Sequence, residues 1–467
     1  MSRAYDDAFK AYAIRGVYGE AIDEALAEWV GAATVELTGA DRLAIAQDMR
    51  PSSEPLAKAL ASGATRRGAD VVRVGLASTD MLYFASGALD MPGVMLTASH
   101  NPAQYNGMKL CREGAVPIGE QTGLADLRSL VADGEPSGSA ATVGEVSERP
   151  ELLEEYARHV QGFVDAEDLR PLKVVIDAGN GMAGHVAPPV FERLPFEVVP
   201  MYFELDGTFP NHPADPIDPA NTVALRERVV AEGADVGLAF DGDADRVFLI
   251  DERGKTVASS LIVALVARTM CAREDDAKIL HNLICSRVVP ETIREAGGSP
   301  VRTRVGHSFI KAVMGETGAI FGGEHSGHYY FRENYRADSG LIAALVALQV
   351  LSRADAPLSE VLEPYRRYAD SGEVNSQITR PAKEITEGVA ARYTEHDQDW
   401  LDGLTVEAEN WWFNLRPSNT EPLLRLNVEA STATQMKQLR DEVLATVREL
   451  DTASDDHESE AGATTER

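Results

Sequence analysis

At 467 residues the chain is too long for one ordinary hydrophobic core, so several domains are expected. Its composition, 44% hydrophobic and 25% charged, is that of a soluble globular protein, and no window supplies the long uncharged apolar run that a membrane span needs. A net charge of −30 argues against nucleic acid as a partner, because a phosphate backbone would be repelled, and it suggests adaptation to high salt.

In chain order, the N-terminal "MSRAYDDAF" has no apolar signal core, so export is not expected. Cys111, Cys271 and Cys285 are odd in number and lack CxxC spacing, which favours a reducing cytoplasm over a zinc site or disulfide frame. "LAIAQDMR" (43–50), "ADVVRVGL" (69–76) and "PGVMLTAS" (92–99) read as strands, with a helix over 52–68 between the first two. This alternation is the pattern of an α/β layered domain. A Gly/Ser/Pro-rich linker follows at 133–150, then the helix "ELLEEYARHVQGFV" (151–164).

The pattern recurs. "LKVVIDAGNGMAGHVAPPVFERL" (172–194) is strand, Gly-rich turn and helix, and "ADVGLAFDGDADRVFLID" (234–251) is strand, loop and strand. "LIVALVARTMC" (261–271) is a buried helix, too short to span a membrane and interrupted by Arg268. Segments 277–286, 299–306 and 318–331 supply a third set, although no repeat of fixed period is visible. "DERGKTV" (251–257) is a polar turn and "YADSGEVNSQ" (368–377) a polar break, followed by an α+β segment ending in the helix "TATQMKQLRDEVLATVREL". The last stretch, "TASDDHESEAGATTER", is polar without periodicity and is expected to be disordered.

Four loops carry chemistry. "TASHNP" places Ser99 beside His100. It admits an ordinary turn, a Ser–His hydrolase, or a serine that carries phosphate. The hydrolase reading is poor, because triad members converge from separate segments and no GxSxG elbow surrounds Ser99. "DGDADR" (241–246) alternates three carboxylates between two strands, suiting a hard cation such as Mg²⁺. An EF-hand is excluded, since Arg246 stands where the turn glycine belongs; the plain alternative is a solvated acidic turn.

"GGEHSGHYYF" (322–331) sets Glu324, His325, Ser326 and His328 among glycines, suited to sugar hydroxyls, with Tyr329, Tyr330 and Phe331 as strand core. "VGHSFIK" (305–311) adds His307, Ser308 and Lys311. "RPSNTEP" (416–422), with Arg425 beyond it, gathers a guanidinium, hydroxyls and an amide, the donors of a phosphate site, or else forms an ordinary turn.

Together, and in this order, these loops resemble those of the α-D-phosphohexomutases, in the phosphomannomutase/phosphoglucomutase branch; the resemblance runs from about Phe9 to Ala430. "SNTEP" and "TASHNPAQYNGMK" are similar to the mannose/glucose branch. Phosphoglucosamine mutases, the nearest alternative, tend to carry Gly where Asn419 stands. The eukaryote-type phosphoglucomutases carry a different sugar loop.

The resemblance implies three similar α/β domains with mixed sheets and a C-terminal α+β domain around a central cleft. They are placed at 1–148, 149–252, 253–368 and 369–450, with an acidic disordered tail at 451–467. It implies Ser99 as phosphoserine, and Asp241, Asp243 and Asp245 as Mg²⁺ ligands, with Ser99 completing the set. Glu324 and Ser326 would bind sugar hydroxyls, and Arg416, Ser418, Asn419 and Thr420 the non-transferring phosphate, with Arg425 beside them. Arg15 matches the family's N-terminal arginine, His100 and Lys109 its cleft cations, and His307 the histidine of its "VGH" loop. Arg246 would offset charge on the transferring phosphoryl group.

The implied reaction interconverts hexose 1- and 6-phosphates through a 1,6-bisphosphate, which is both intermediate and activator. His100 and Lys109 are candidates for acid and base because they flank Ser99, with His328 the alternative. The partners are small hexose phosphates, with neither nucleic acid nor membrane, in a monomer or homodimer. A metal-dependent sugar phosphatase and a non-catalytic sugar-phosphate-binding protein are the rival classes. Three departures stand out: Ala13 replaces the Asp of the family's "YDIRG", His325 replaces a frequent Met or Gln, and Ile284 stands where some relatives have lysine.

Overall fold

A computed structural model of the chain describes residues 5–132, 134, 140–418 and 423–452, without the side chains of His307 and Ser308. It forms two compact units, one of residues 1–285 and 289–365 and one of 286–288 and 366–467.

The first unit holds three mixed sheets. In the first, Arg42–Gln47 pairs in parallel with Asp70–Leu76 and Gly93–Leu96, while Tyr105–Arg112 runs antiparallel between Gly93–Leu96 and Ile14–Val17. The second sets Lys173–Asp177 between Glu197–Met201 and Val236–Phe240, all parallel, with Val247–Asp251 antiparallel at the edge. In the third, Ser299–Thr303, Lys278–Asn282 and Phe321–Gly323 are parallel, and Tyr329–Phe331 closes the edge antiparallel. Parallel strands covered on both faces need continuous apolar runs, and Val236–Phe240 is buried along its whole length. The helices Ser259–Cys271 and Gly340–Arg353 are buried nearly all round, as their composition requires. No single described helix is long and apolar enough to cross a membrane.

One topological position repeats in all three sheets. A parallel strand turns back into an antiparallel one, and the turn between them carries the chemistry: 97–104, 241–246 and 324–328. The recurrence that sequence shows only as alternation is thus a repeat of place.

The second unit is a five-stranded antiparallel sheet in the order Ala369–Gln377, Leu423–Ala430, Trp411–Pro417, Leu404–Glu407, Asp397–Asp399. The helices Ala382–Ala390 and Ala433–Thr452 pack on it through Ile385, Val389, Leu439, Val443 and Val447. We propose the divisions 1–148, 149–252, 253–368 and 369–450, because each segment holds one complete sheet.

Two readings need correction. The linker 133–150 contains the strand Val146–Glu148, which pairs in parallel with Val71–Arg73. The polar break 368–377 is itself the nine-residue strand Ala369–Gln377. Both are edge strands, the first exposed along its length and the second partly exposed, and both lack the apolar pattern that marks inner strands. Of the tail, Asp451 and Thr452 end the last helix; 453–467 lie outside the described residues.

Candidate active site

The strand Gly93–Leu96 ends at Thr97, whose Oγ1 accepts from the backbone N–H of Ser99 at 2.9 Å. A bond from Asn101 N–H to the Ala98 carbonyl closes the turn, and Ser99 takes the left-handed φ of 51°. Its hydroxyl donates to Asp241 Oδ2 at 2.7 Å, linking two of the four chemical loops. The second loop approaches so closely that a Cβ on Gly242 would stand 2.3 Å from the Ser99 carbonyl oxygen.

The hairpin Val236–Phe240/Val247–Asp251 presents Asp241, Asp243 and Asp245, all essentially without solvent access. One carboxylate oxygen of each lies within 4.8 Å of the others. Arg246 grips Asp241 Oδ2 through Nε at 2.9 Å and Nη2 at 2.8 Å, and its Nη2 reaches Ser99 Oγ at 3.3 Å. Lys109 donates to Oδ2 of Asp243 at 2.7 Å and of Asp245 at 2.6 Å, and Thr79 Oγ1 donates to Asp243 Oδ2 at 2.5 Å.

Burial raises Asp241 to about 8 against the pull of Arg246. Burial and then Asp243 also raise Asp245. For Asp243 the cost of burial is outweighed by the Lys109 ammonium, which holds the carboxyl well below its ordinary value. Burial alone would lower Lys109, but Asp243 and Asp245 keep it above its ordinary value and charged.

Oδ1 of Asp243 and Oδ1 of Asp245 are buried without a hydrogen-bond donor among the described residues. Bare carboxylate oxygens on a triad of this size fit a hard divalent cation.

His100 is the main correction. Its Nδ1 lies 3.3 Å from Ser99 Oγ and accepts a short hydrogen bond from Arg246 Nη2. Burial, then the charges of Arg246 and Arg15, lower its pKa to about 2. The ring is therefore neutral, not one of the site's cations. Arg15 donates through Nη1 to Asn101 Oδ1 at 3.0 Å, while its buried Nε has no acceptor among the described residues. Residue 13 is a buried methyl group, so no carboxylate at that position supports the guanidinium.

In the third loop both oxygens of Glu324 are held, Oε1 by Asn282 Nδ2 at 3.2 Å and Gly306 N–H at 3.1 Å, Oε2 by the Tyr330 hydroxyl at 2.8 Å. Ser326 is half-buried on the same turn. His328 forms an isolated bridge with Arg246, joining the second loop to the third; its Nδ1 lies 3.3 Å from Asp338 Oδ2, and it clusters with Asp245. Lys311 Nζ sits 3.4 Å from the Tyr83 ring centre and 3.5 Å from Asp338. Ile284 is buried and apolar, so no cation occupies that position. The side chain of His307 lies outside the described residues.

In the second unit Arg416 and Arg425 face each other across paired strands. Both bind Glu373, at 2.7 and 3.2 Å, and Nε of each is buried without an acceptor among the described residues. Ser418 N–H donates to the Leu423 carbonyl at 2.9 Å, closing the neck of the loop. Asn419 and Thr420 lie outside the described residues.

Sequence reasoning missed Thr79, Asp338, Glu373, Asp48 and Arg50. Only "QDMR" leaves a trace, an acid and a base two residues apart just past a strand end.

The chain matches four family models described as phosphoglucomutase/phosphomannomutase: alpha/beta/alpha domain I over 6–134, domain II over 154–254, domain III over 259–368, and the C-terminal domain over 373–446. It is 40% identical over 432 residues to the phosphomannomutase of Salmonella typhimurium, covering 90% of this chain and 94% of that one. It is 38% identical over 452 residues to the phosphomannomutase of Escherichia coli, covering 94% and 98%. A crystal structure of a phosphoglucomutase/phosphomannomutase family protein from Burkholderia thailandensis superposes with a TM-score of 0.87 at 31% identity, covering 96% of this chain and 98% of that one.

Proposed function

The chain belongs to the phosphoglucomutase/phosphomannomutase family and is a phosphohexomutase, and from that premise we propose how its residues carry the reaction. Ser99 carries the phosphoryl group and passes it to a free hydroxyl of a hexose phosphate, giving a hexose 1,6-bisphosphate. The sugar reorients, and the other phosphate returns to Ser99. The observation that supports this reading is Ser99 Oγ, 2.7 Å from one carboxylate of a buried aspartate triad and 3.3 Å from a guanidinium.

Asp241, Asp243 and Asp245, with the Ser99 phosphoryl group, would hold Mg²⁺, which when bound offsets charge on the transferring group. Arg246 binds Asp241 and faces Ser99 Oγ, so its charge stands where the phosphoryl group leaves and returns. In the forward half the Oγ–P bond breaks and a P–O bond forms to the sugar oxygen; the sugar hydroxyl gives up its proton, and Ser99 Oγ gains one as it becomes the hydroxyl that donates to Asp241. Lys109 is committed to two carboxylates and His100 Nδ1 to Arg246, which favours the His328 imidazole for the sugar's proton. In the return half the Ser99 hydroxyl gives up its proton as the P–O bond to Oγ forms, and His328 supplies one to the sugar oxygen released from phosphate. Glu324 and Ser326 bind the sugar hydroxyls. Arg416, Ser418, Asn419, Thr420 and Arg425 hold the idle phosphate; Arg15 binds substrate near Ser99, and His307 is a further substrate contact.

The test is conversion of glucose 1-phosphate, with trace glucose 1,6-bisphosphate, to glucose 6-phosphate. Release of inorganic phosphate instead would assign a phosphatase, and no turnover a binding protein. Ser99→Ala is expected to abolish both phosphate incorporation and turnover; full activity in that variant sinks the assignment.

A further inference from the structure

Arg50 has no role in the chemistry above, yet its side chain is among the most deeply buried of the cations, 2% exposed. It lies between the strand Arg42–Gln47 and the helix Ser53–Arg66. A guanidinium has five N–H donors in a rigid plane, and here every one is used. Nε donates to Asp48 Oδ2 at 3.1 Å. Nη1 donates to the carbonyls of Pro102 at 2.8 Å and Tyr105 at 3.0 Å, and Nη2 to those of Ser99 at 2.9 Å and Asn101 at 2.6 Å.

Four of the five acceptors are thus backbone carbonyls, three on the loop that carries Ser99 and the fourth on Tyr105, the first residue of the strand that follows it. Asp48 is fixed in turn by the Arg50 N–H at 3.0 Å and the Ser53 hydroxyl at 2.5 Å. The guanidinium carbon lies 5.0 Å from the centre of the Phe209 ring, on a segment of the second sheet's domain.

A buried cation whose four Nη donors are all satisfied by carbonyls of one segment is a scaffold for that segment. Ser99 needs one, since its φ of 51° is a conformation that side chains rarely adopt. The bonds inside the loop run from N–H groups: Ser99 N–H to Thr97 Oγ1, Asn101 N–H to Ala98 and Tyr105 N–H to Pro102. Arg50 gathers carbonyls, including that of Ser99 itself. Lysine could not do the same, because three donors on one nitrogen cannot span four carbonyls and a carboxylate.

We propose that Arg50 is the positioning residue of the phosphate-carrying loop: by holding the carbonyls of Ser99, Asn101, Pro102 and Tyr105 on one planar fork, it sets the turn from which Ser99 Oγ meets Asp241. It has no donor left for substrate, so it acts through Ser99 alone. The inference rests on Ser99 as the phosphate carrier.

The test compares full-length wild type with Arg50→Lys and Phe209→Leu. It reads kcat and KM for glucose 1-phosphate with glucose 1,6-bisphosphate, together with amide hydrogen exchange across residues 97–106. Arg50→Lys is expected to lower kcat about 100-fold, the cost of roughly 1 Å of misplacement at the reacting group. KM should stay within about threefold, because ground-state binding does not use Arg50. Exchange should rise at least about tenfold in 97–106 and not in the rest of the first unit. Phe209→Leu keeps all five hydrogen bonds and should stay within about threefold of wild type.

A folded Arg50→Lys enzyme with near wild-type kcat overturns the proposal, as does exchange that rises evenly across the first unit. If that variant does not accumulate as folded protein, Asp48→Asn decides: a kcat lowered about threefold to tenfold at unchanged KM supports the proposal, and an unchanged kcat overturns it. Wild type that fails to turn over sugar phosphate overturns the mutase reading and this inference together. An active wild type with an unaffected Arg50→Lys overturns only the inference.

Discussion

Gly242→Ala tests how the phosphate-carrying and carboxylate loops meet. Gly242 is not in the left-handed region, so its backbone accepts alanine without torsional strain. The obstacle is steric: the new Cβ would lie 2.3 Å from the Ser99 carbonyl oxygen and 3.2 Å from its carbonyl carbon. Ordinary contact needs about 3.4 Å or more, so one loop must move by roughly 1 Å. Both contacting groups are backbone, and neither can rotate away. That displacement separates the two loops that carry Ser99 and Asp241, whose side chains now meet at 2.7 Å. Misplacement of about 1 Å at a reacting centre costs about 100-fold. This corresponds to about 2.7 kcal/mol of transition-state stabilisation. The assay is steady-state turnover of glucose 1-phosphate with glucose 1,6-bisphosphate, beside a thermal melt. The expected result is a folded enzyme with kcat down about 100-fold and KM within about threefold. A folded variant with wild-type kcat refutes the argument that the two backbones are in contact when the reaction occurs.

Asp80 is fully buried and accepts hydrogen bonds from Ser339 Oγ, Ser78 Oγ and the Tyr156 hydroxyl, yet burial outweighs them and lifts its pKa to about 6. Because the folded value lies above the ordinary one, the stability it contributes is full below about pH 4 and lost as pH rises through about 6, a loss of up to about 3 kcal/mol. Denaturant unfolding at a series of pH values should therefore show Asp80→Asn gaining on wild type by that order between about pH 4 and pH 8, and a pH-independent difference contradicts the prediction. Lys109→Met leaves Asp243 and Asp245 buried without their cation and should lower stability by about 3–5 kcal/mol. Added Mg²⁺ should then raise its melting temperature by more than it raises that of wild type; equal shifts in both would show that those two carboxylates do not share an ion.

What was legible from sequence depended on whether a residue's partners carry side-chain identity. The "DGDADR" loop shows itself because alternating carboxylates are rare between buried strands, and "TASHNP" because a hydroxyl and an imidazole stand together. The same adjacency misled about His100: its protonation is set by burial and then by Arg246, 146 residues away, whose Nη2 donates to its ring. Arg50 was illegible for a different reason. Its partners are carbonyls, which every residue has, so nothing in the loop's sequence announces them. The strands Ala369–Gln377 and Val146–Glu148 escaped because an edge strand pairs on one side and needs no apolar alternation. With the first went Glu373, the carboxylate that holds Arg416 and Arg425.

Charge explains why the proposed metal and phosphoryl group would bind this pocket together. The chain's net charge of −30 is a property of its surface, whereas the buried cluster balances when all three aspartates are ionised: they then stand against Lys109, Arg246 and Arg15. Uncompensated charge in such a place is costly, so neither a divalent cation nor a phosphoryl dianion can enter alone without leaving net charge buried. Their charges are opposite and nearly equal, and binding both restores the balance. Binding of the two should therefore be mutually dependent, with Oδ1 of Asp243 and of Asp245 and Nε of Arg15, none of which has a hydrogen-bond partner among the described residues, as the positions open to them. The rest of the cluster is already locked: Lys109 on two carboxylates, Arg246 on Asp241, Arg50 on the loop behind Ser99. Fixed dipoles and charges of this kind need little reorganisation as charge moves, which is where a site that must serve both ends of one sugar obtains its rate.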